Sequence, residues 1–170
     1  MGGLILLCGK PASGKTTLAN YLAENHKVIT FSADKMMLKL FGEIEDRAVF
    51  EDRLKFCKHF IYNNTEDLLK NNVSVALDFG FWTKQERDEV KRKFAMFKTI
   101  IVYLNADEET LKARVENRNK NLKDTEYFMD NVTYKFLCSM FEEPHLSENV
   151  VCYTNKEDLV NELKNRQILK

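Results

Sequence analysis

The chain of 170 residues is poor in the residues that punctuate a fold: it has only 2 prolines and 6 glycines. That scarcity, with no low-complexity tract, excludes a collagenous or linker-rich architecture and favours long regular elements. Charge of one sign is lacking too. Lys plus Arg total 26 and Asp plus Glu total 26, leaving a formal net charge of zero. No global basic footprint for nucleic acid or an anionic membrane results. Long apolar runs are missing. Leu4 to Cys8 is the longest near the start, far too short to cross a bilayer and without the flanks of a signal peptide. The four cysteines, Cys8, Cys57, Cys138 and Cys152, form no C-x-x-C pair and no metal spacing. Each sits in an apolar stretch, so buried reduced thiols and a cytoplasmic location are expected. His26, His59 and His145 fall in unrelated contexts and are read as surface or satisfied side chains.

What remains is a regular alternation. Five short apolar runs, Leu4–Cys8, Val28–Ser32, Val73–Asp78, Thr99–Asn105 and Val150–Tyr153, have the near-continuous apolarity of strands covered on both faces. Between them the period changes to that of a helix. Leu18 and Leu22 form one stripe, and Val90, Phe94 and Phe97 another. A third runs from Phe50 through Leu54, Cys57 and Ile61 to Leu68, with a break expected near Asn63-Asn64. Thr83-Lys84-Gln85-Glu86 is a capping box. Strand–helix alternation of this kind predicts a parallel sheet with helices on both faces, ligands gathering at the carboxyl ends of the strands. The chain is read as one domain spanning 1–170. Residues 117–143 offer no strand and are read as a helical or mobile segment.

Gly9-Lys10-Pro11-Ala12-Ser13-Gly14-Lys15-Thr16 is G-x-x-x-x-G-K-[ST], placed directly after a strand and opening a helix. Its glycines let successive amides converge on phosphate oxygens. Pro11 has no N–H, so the donors come from Ala12, Ser13, Gly14, Lys15, Thr16 and Thr17, at the positive end of the helix. Lys15 supplies a cation for the β- and γ-phosphates and Thr16 a hydroxyl for Mg2+. ATP and Mg2+ are the ligands expected.

Two acids sit at the same sheet edge. Asp78 ends the third run in the manner of a Walker B aspartate, facing Mg2+ directly or through water. Asp34, just after Phe31-Ser32, either accepts a proton from an attacking hydroxyl or complements a helix dipole capped by Ser32. Phe79, Phe81 and Trp82 follow Asp78 and either stack a planar acceptor or cover the sheet edge. Arg114 and Arg118, at i and i+4, share a helix face. They either offset charge on a transferring phosphoryl group or belong to a solvated basic face. Two motifs are decoys. Asp78-Phe79-Gly80 copies D-F-G, but no H-R-D loop accompanies it. Asn155-Lys156-Glu157-Asp158 spells N-K-x-D, yet too little chain follows for another strand and helix, and Asn155 is better read as an N-cap.

With these segments in view the chain resembles the small bacterial P-loop kinase-like ATP-binding proteins of AAA type, a group related to polynucleotide 5′-kinase, chloramphenicol phosphotransferase and zeta toxin. The carrying residues are the loop through Thr17, Phe31 to Asp34, Leu77 to Thr83 with Glu86-Arg87, Tyr103 to Ala106, Arg114 to Asn119, and Phe141 to Pro144. The resemblance implies a P-loop three-layer α/β/α fold of the nucleoside-monophosphate-kinase kind. It has a five-stranded parallel sheet, a helical lid after the fourth strand and an acceptor pocket between the second and third. It also implies that Asp34 is the general base and that Arg118, with Arg114, closes over the phosphates. The substrate-side set is then Asp34, Asp78, Phe79, Phe81 and Trp82. Polynucleotide kinases carry a basic residue three positions after that acid, where this chain has Met37. The implied activity is transfer of a γ-phosphate to a hydroxyl of a small molecule. Two rivals stand beside it: a polynucleotide 5′-hydroxyl kinase, and a regulatory or toxin–antitoxin module with slow hydrolysis only.

Overall fold

The computed structural model describes residues 2–124 and 126–169. In chain order the elements are β1 (Leu4–Cys8), α1 (Lys15–His26), β2 (Ile29–Ser32), α2 (Ala33–Phe41), α3 (Arg47–Lys70), β3 (Val75–Gly80), α4 (Lys84–Lys93), β4 (Thr99–Tyr103), α5 (Glu108–Lys120), α6 (Asn131–Ser139), β5 (Val150–Cys152) and α7 (Lys156–Asn165), with a short 3-10 turn at Leu146–Glu148. All four strand pairings are parallel, in the order β2-β3-β1-β4-β5. The expected five-stranded P-loop α/β architecture is the one observed.

The strands are apolar throughout because both faces are covered. Leu4, Leu6 and Cys8 of β1 pack with Leu77, Ile61 and Leu69 of α3 and Val90 of α4. Ile5 and Leu7, pointing the other way, pack with Leu18 and Leu22 of α1 and Leu159 and Leu163 of α7. A third, smaller cluster joins Leu111 and Val115 of α5 to Tyr134 of α6. Pairing puts Cys8 opposite Gly80 and Ser32 opposite Asp78, so the ends of β1, β2 and β3 share one edge. Sequence motifs far apart in the chain therefore meet there.

Three expectations change. No break interrupts α3 at Asn63-Asn64. Asn64 Nδ2 donates to Phe60 O at 2.8 Å and Asn63 Nδ2 lies 3.2 Å from His59 Nε2, so both amides are satisfied one turn back, along the helix. The third strand is shifted, beginning at Val75 and running past Asp78 to Gly80. The cysteines are all free, but only Cys8 and Cys57 are buried; Cys138 is half-buried and Cys152 exposed. The last strand is a three-residue edge strand, and its final residue, Cys152, is exposed. The N-cap at Asn155 is as expected, accepting from Asp158 N at 3.0 Å. No helix is long and apolar enough to cross a membrane among the described residues.

Candidate active site

The backbone leaves β1 through Gly9, at φ 153, where an added Cβ would lie 2.5 Å from Leu104 O and 2.7 Å from Ser13 Oγ. Only glycine fits this turn. Gly14, at φ 102, then caps α1 without any side-chain hydrogen bond to the helix start. The first amides of α1 are left for an anion at the positive end of the helix. Ala12 is also left-handed, at φ 61, which turns the loop back over the helix mouth. Lys15 Nζ donates to Gly9 O and Lys10 O, both at 2.8 Å, and to Ser13 Oγ at 3.4 Å. Burial lowers the pKa of this ammonium, while the carboxylates of Asp78 and Asp34 push it back up. Both acids therefore act on the loop's cation. Thr17 follows on the exposed first turn of α1.

Thr16 Oγ1 donates to Asp78 Oδ2 at 2.6 Å, and Asp78 is buried at 7% exposure. One carboxylate and one hydroxyl, both hard oxygens, suit Mg2+, which keeps several waters and completes its shell with substrate phosphates. Among the described residues there is no group of three or more His, Cys, Asp or Glu that would make an all-protein cage. The donor set fits a phosphate-linked Mg2+ site.

Asp34 lies in the first turn of α2, behind Ser32, whose hydroxyl accepts from Lys35 N at 3.4 Å. Asp34 is exposed, yet the protein on one side of its carboxyl raises its pKa. Asp78 adds to that rise; Lys15, Lys58 and Arg118 oppose it. A carboxylate held above the ordinary aspartate range is a better proton acceptor near neutral pH. Met37, one turn on, is fully buried, so this position offers no cation to the acceptor side.

From the opposite side, Arg114 Nη1 donates to Ala12 O at 3.3 Å, tying α5 to the phosphate loop. One turn later, Arg118 Nε and Nη2 are shielded from solvent and have no hydrogen-bond partner among the described residues. The charge of Arg118 acts on both Lys15 and Asp34. A guanidinium with unused donors at this point matches the planar fork that phosphate oxygens accept.

The aromatic rings pack on one another, and Phe79 and Phe81 also line a cavity. Phe79 is stacked on Phe81 at 5.6 Å, tilted against Tyr62 at 5.9 Å, and has the Lys58 ammonium 5.9 Å from its ring centre. Phe81 is 2% exposed. Trp82 meets Phe141 edge-on at 6.0 Å, and its indole lies against Gly80. These contacts cover the sheet edge, while Phe79 and Trp82 remain partly exposed. A cavity of about 390 Å³ opens between α3 and α4, lined by Lys55, Lys58, Tyr62, Phe79 and Glu86 among others. It lies on the helix-packed side of β3 rather than at the phosphate loop.

Two residues escaped the sequence reading. Arg87 of α4 is fully buried and makes a two-pronged contact with Glu148, Nε to Oε2 at 2.8 Å and Nη2 to Oε1 at 3.1 Å. Its Nη1 reaches Phe81 O at 3.1 Å and Glu142 O at 2.8 Å. The exit from β3 is thus bonded to the chain returning after α6, and Phe81 is held at a left-handed φ of 48. The signal was present: Arg87 shares the face of Val90 and Phe94, an apolar stripe on which an arginine must find a partner. The other is Tyr127, whose hydroxyl is shielded and unpartnered among the described residues; no spacing marks it.

Comparison with known proteins places these features in context. A family model described as an AAA domain (AAA_33) matches residues 4–142. A candidate kinase from Chloroflexus aurantiacus superposes with a TM-score of 0.76 at 16% identity, covering 98% of this chain and 96% of its own. A sugar kinase from Janibacter sp. HTCC2649 gives 0.65 at 13% identity, covering 98% and 95%. A gluconokinase from Sinorhizobium meliloti 1021 gives 0.64 at 17% identity, covering 96% and 90%. At these identities the likeness is one of fold. No curated protein matches by sequence.

Proposed function

The chain belongs to the AAA domain family just described, and from that premise we propose that it is an ATP- and Mg2+-dependent kinase that phosphorylates a hydroxyl of a small molecule. One observation carries this reading. The charge of Arg118, whose Nε and Nη2 have no hydrogen-bond partner among the described residues, falls on both the loop lysine and a carboxylate whose pKa is raised. A site built only to hold nucleotide has no need of a second, proton-accepting carboxylate; one that acts on a hydroxyl does. The names of the solved relatives, sugar kinase and gluconokinase, support a hydroxylated small acceptor.

In this mechanism the amides from Ala12 to Thr17 and the Lys15 ammonium hold the β- and γ-phosphates, Lys15 exchanging its loop carbonyls for phosphate oxygens. Thr16 and Asp78 would hold Mg2+, which would supply neutralising charge to the phosphates when bound. Asp34 orients the acceptor hydroxyl and takes its proton as the new oxygen–phosphorus bond forms and the bond to the β-phosphate oxygen breaks. Arg118 offsets charge on the equatorial oxygens of the group in flight. Arg114 keeps α5 against the loop, so that residues 117–143 act as the lid and exclude water.

A screen with γ-labelled ATP against hydroxyl compounds, nucleosides and oligonucleotides, reading transfer separately from hydrolysis, tests the proposal. Asp34→Asn is expected to retain nucleotide binding and lose about 100- to 10,000-fold in transfer. Unchanged transfer would remove Asp34 as the base. Slow, acceptor-independent hydrolysis alone would replace the kinase with a nucleotide-dependent regulatory module.

A further inference from the structure

We propose that the cavity between α3 and α4 is a second ligand site, separate from the phosphate loop, for a small aromatic ring that carries one anionic group. Lys55, Lys58 and Tyr62 on α3 are spaced i, i+3, i+7, and Glu86, Glu89 and Lys93 on α4 repeat that spacing. Each trio therefore occupies one face of its helix, and together they line a space of about 390 Å³. That is the size of a small-molecule pocket. Its place follows from β3, where neighbouring side chains point to opposite faces of the sheet. Asp78 turns to Thr16 at the start of α1, so Phe79 turns to the far face, against Tyr62 of α3. Among the described residues, neither the phosphate loop nor Asp34 lines the cavity.

The floor of the cavity is aromatic. Phe79 is stacked on Phe81 at 5.6 Å with the ring planes 26° apart, and Tyr62 leans on Phe79 at 5.9 Å. Phe81 is buried, whereas Phe79 and Tyr62 keep part of their surface exposed. A planar ring laid against them gains offset or edge-on contact. Burial, with the charges of Glu86 and Glu89, pushes the Tyr62 phenol upward, so the floor itself carries no charge. The walls set the sign of the ligand. Three lysines face two glutamates there, and both glutamates are occupied. Glu86 accepts from Lys58 Nζ at 3.3 Å with one oxygen and from Trp82 N at 3.0 Å with the other. Glu89 accepts from Gln85 Nε2 at 2.8 Å. Lys93 holds its ammonium 5.8 Å from the centre of the Tyr62 ring, and Lys55 is exposed. These two ammonium groups are left to receive an anion that enters with the ring.

The test titrates the protein with fluorinated probes and follows them by fluorine NMR. Two carry the proposed chemistry, 4-fluorobenzoate and 4-fluorophenyl phosphate. A third, 4-fluorobenzyl alcohol, lacks the charge, and 4,4-difluorocyclohexanecarboxylate lacks the aromatic ring. At least one aryl anion is expected to bind about 10-fold more tightly than the alcohol, through charge-assisted hydrogen bonds. It should also bind about 2- to 10-fold more tightly than the cyclohexane acid. The double variant Lys55→Gln with Lys93→Gln should weaken aryl-anion binding about 10-fold and leave the alcohol and magnesium nucleotide bound as in wild type. Saturation with ATP and Mg2+ should leave the aryl-anion affinity unchanged. Binding of the alcohol as tight as that of the anions overturns the charge of the ligand, and equal binding of the cyclohexane acid overturns its ring. Unchanged affinity in the double variant, displacement by magnesium nucleotide, or no binding of either aryl anion up to about 10 mM overturns the site itself. None of these outcomes bears on the kinase reading.

Discussion

Glu148→Gln is the sharpest test of how this architecture is held together. Glu148 is 4% exposed at its side chain and faces a guanidinium that is wholly buried. Removing the charge leaves Arg87 with one amide oxygen in place of a carboxylate, although Phe81 O and Glu142 O still accept from it. Breaking one side of a buried pair costs about 3–5 kcal/mol; the isosteric amide and those two carbonyls place the expected loss near the lower end, about 3 kcal/mol. For a domain of this size that is a fall in Tm of about 6–12 °C. The sign of the pH dependence follows from the carboxyl. Burial alone would raise its pKa, but the hydrogen bond from Arg87 and the His145 amide hold it below the ordinary value of 4.5. Its stabilisation is therefore complete above the unfolded-state pKa and disappears as pH falls through the lower, folded value. Urea titrations of wild type and variant should differ by the same free energy at every pH above about 5 and converge in acid. A Tm within about 1 °C of wild type at neutral pH, or a difference that persists undiminished in acid, would refute the argument. The double variant Arg87→Met with Glu148→Leu should recover most of the loss, since apolar replacement of a whole pair is often close to neutral.

Other expectations follow from the phosphate site. Lys15→Ala should lower kcat/KM for ATP by at least about 100-fold, read by calorimetry and turnover together; an affinity for magnesium nucleotide equal to wild type would contradict the placement of its ammonium. Asp78→Asn should raise the Mg2+ concentration needed for half-maximal turnover while the fold, followed by circular dichroism, is retained. Because the pKa of Asp34 is raised above the ordinary 3.8, the acid limb of kcat should fall at a pH above that value; an acid limb at or below it would sink the base assignment. In native protein, Cys152 should react first with an alkylating reagent and Cys8 last. Cys8 is buried, its thiol pushed up to about 11 by burial and donating to Phe81 O at 3.5 Å; mass mapping of modified peptides gives the order.

Legibility from sequence followed the range over which each contact is specified. The phosphate loop was readable because its constraints are local: two glycines, a lysine and a threonine between a strand and a helix. Thr16 and Asp78 are 62 residues apart, yet their meeting was foreseeable, because the helix start that follows β1 and the carboxyl-terminal part of β3 share one edge of a parallel sheet. Arg87 and Glu148 are 61 residues apart and share no such rule. Their contact depends on where the chain re-enters after α6, which no periodicity encodes. The aromatic triplet after Asp78 was ambiguous for a different reason. A ring that covers a sheet edge and a ring that stacks a ligand have the same composition, and the packing of Tyr62, Lys58 and Phe141 around the triplet is set by distant parts of the chain. The exposure of Cys152 likewise turns on its being at the sheet margin, a matter of strand order rather than hydropathy.

The resting position of Lys15 has a consequence for what the loop will accept. Its side chain is already ordered by Gly9 O, Lys10 O and Ser13 Oγ, so little rotamer freedom remains to be lost when a nucleotide arrives. Recruitment is an exchange: the ammonium leaves three oxygens and must find comparable acceptors in the newcomer. A chloride cannot supply them, whereas phosphate oxygens can, and a polyphosphate chain offers them to Lys15 and to the loop amides together. The order of Lys15 thus sets which anions the loop takes up most readily.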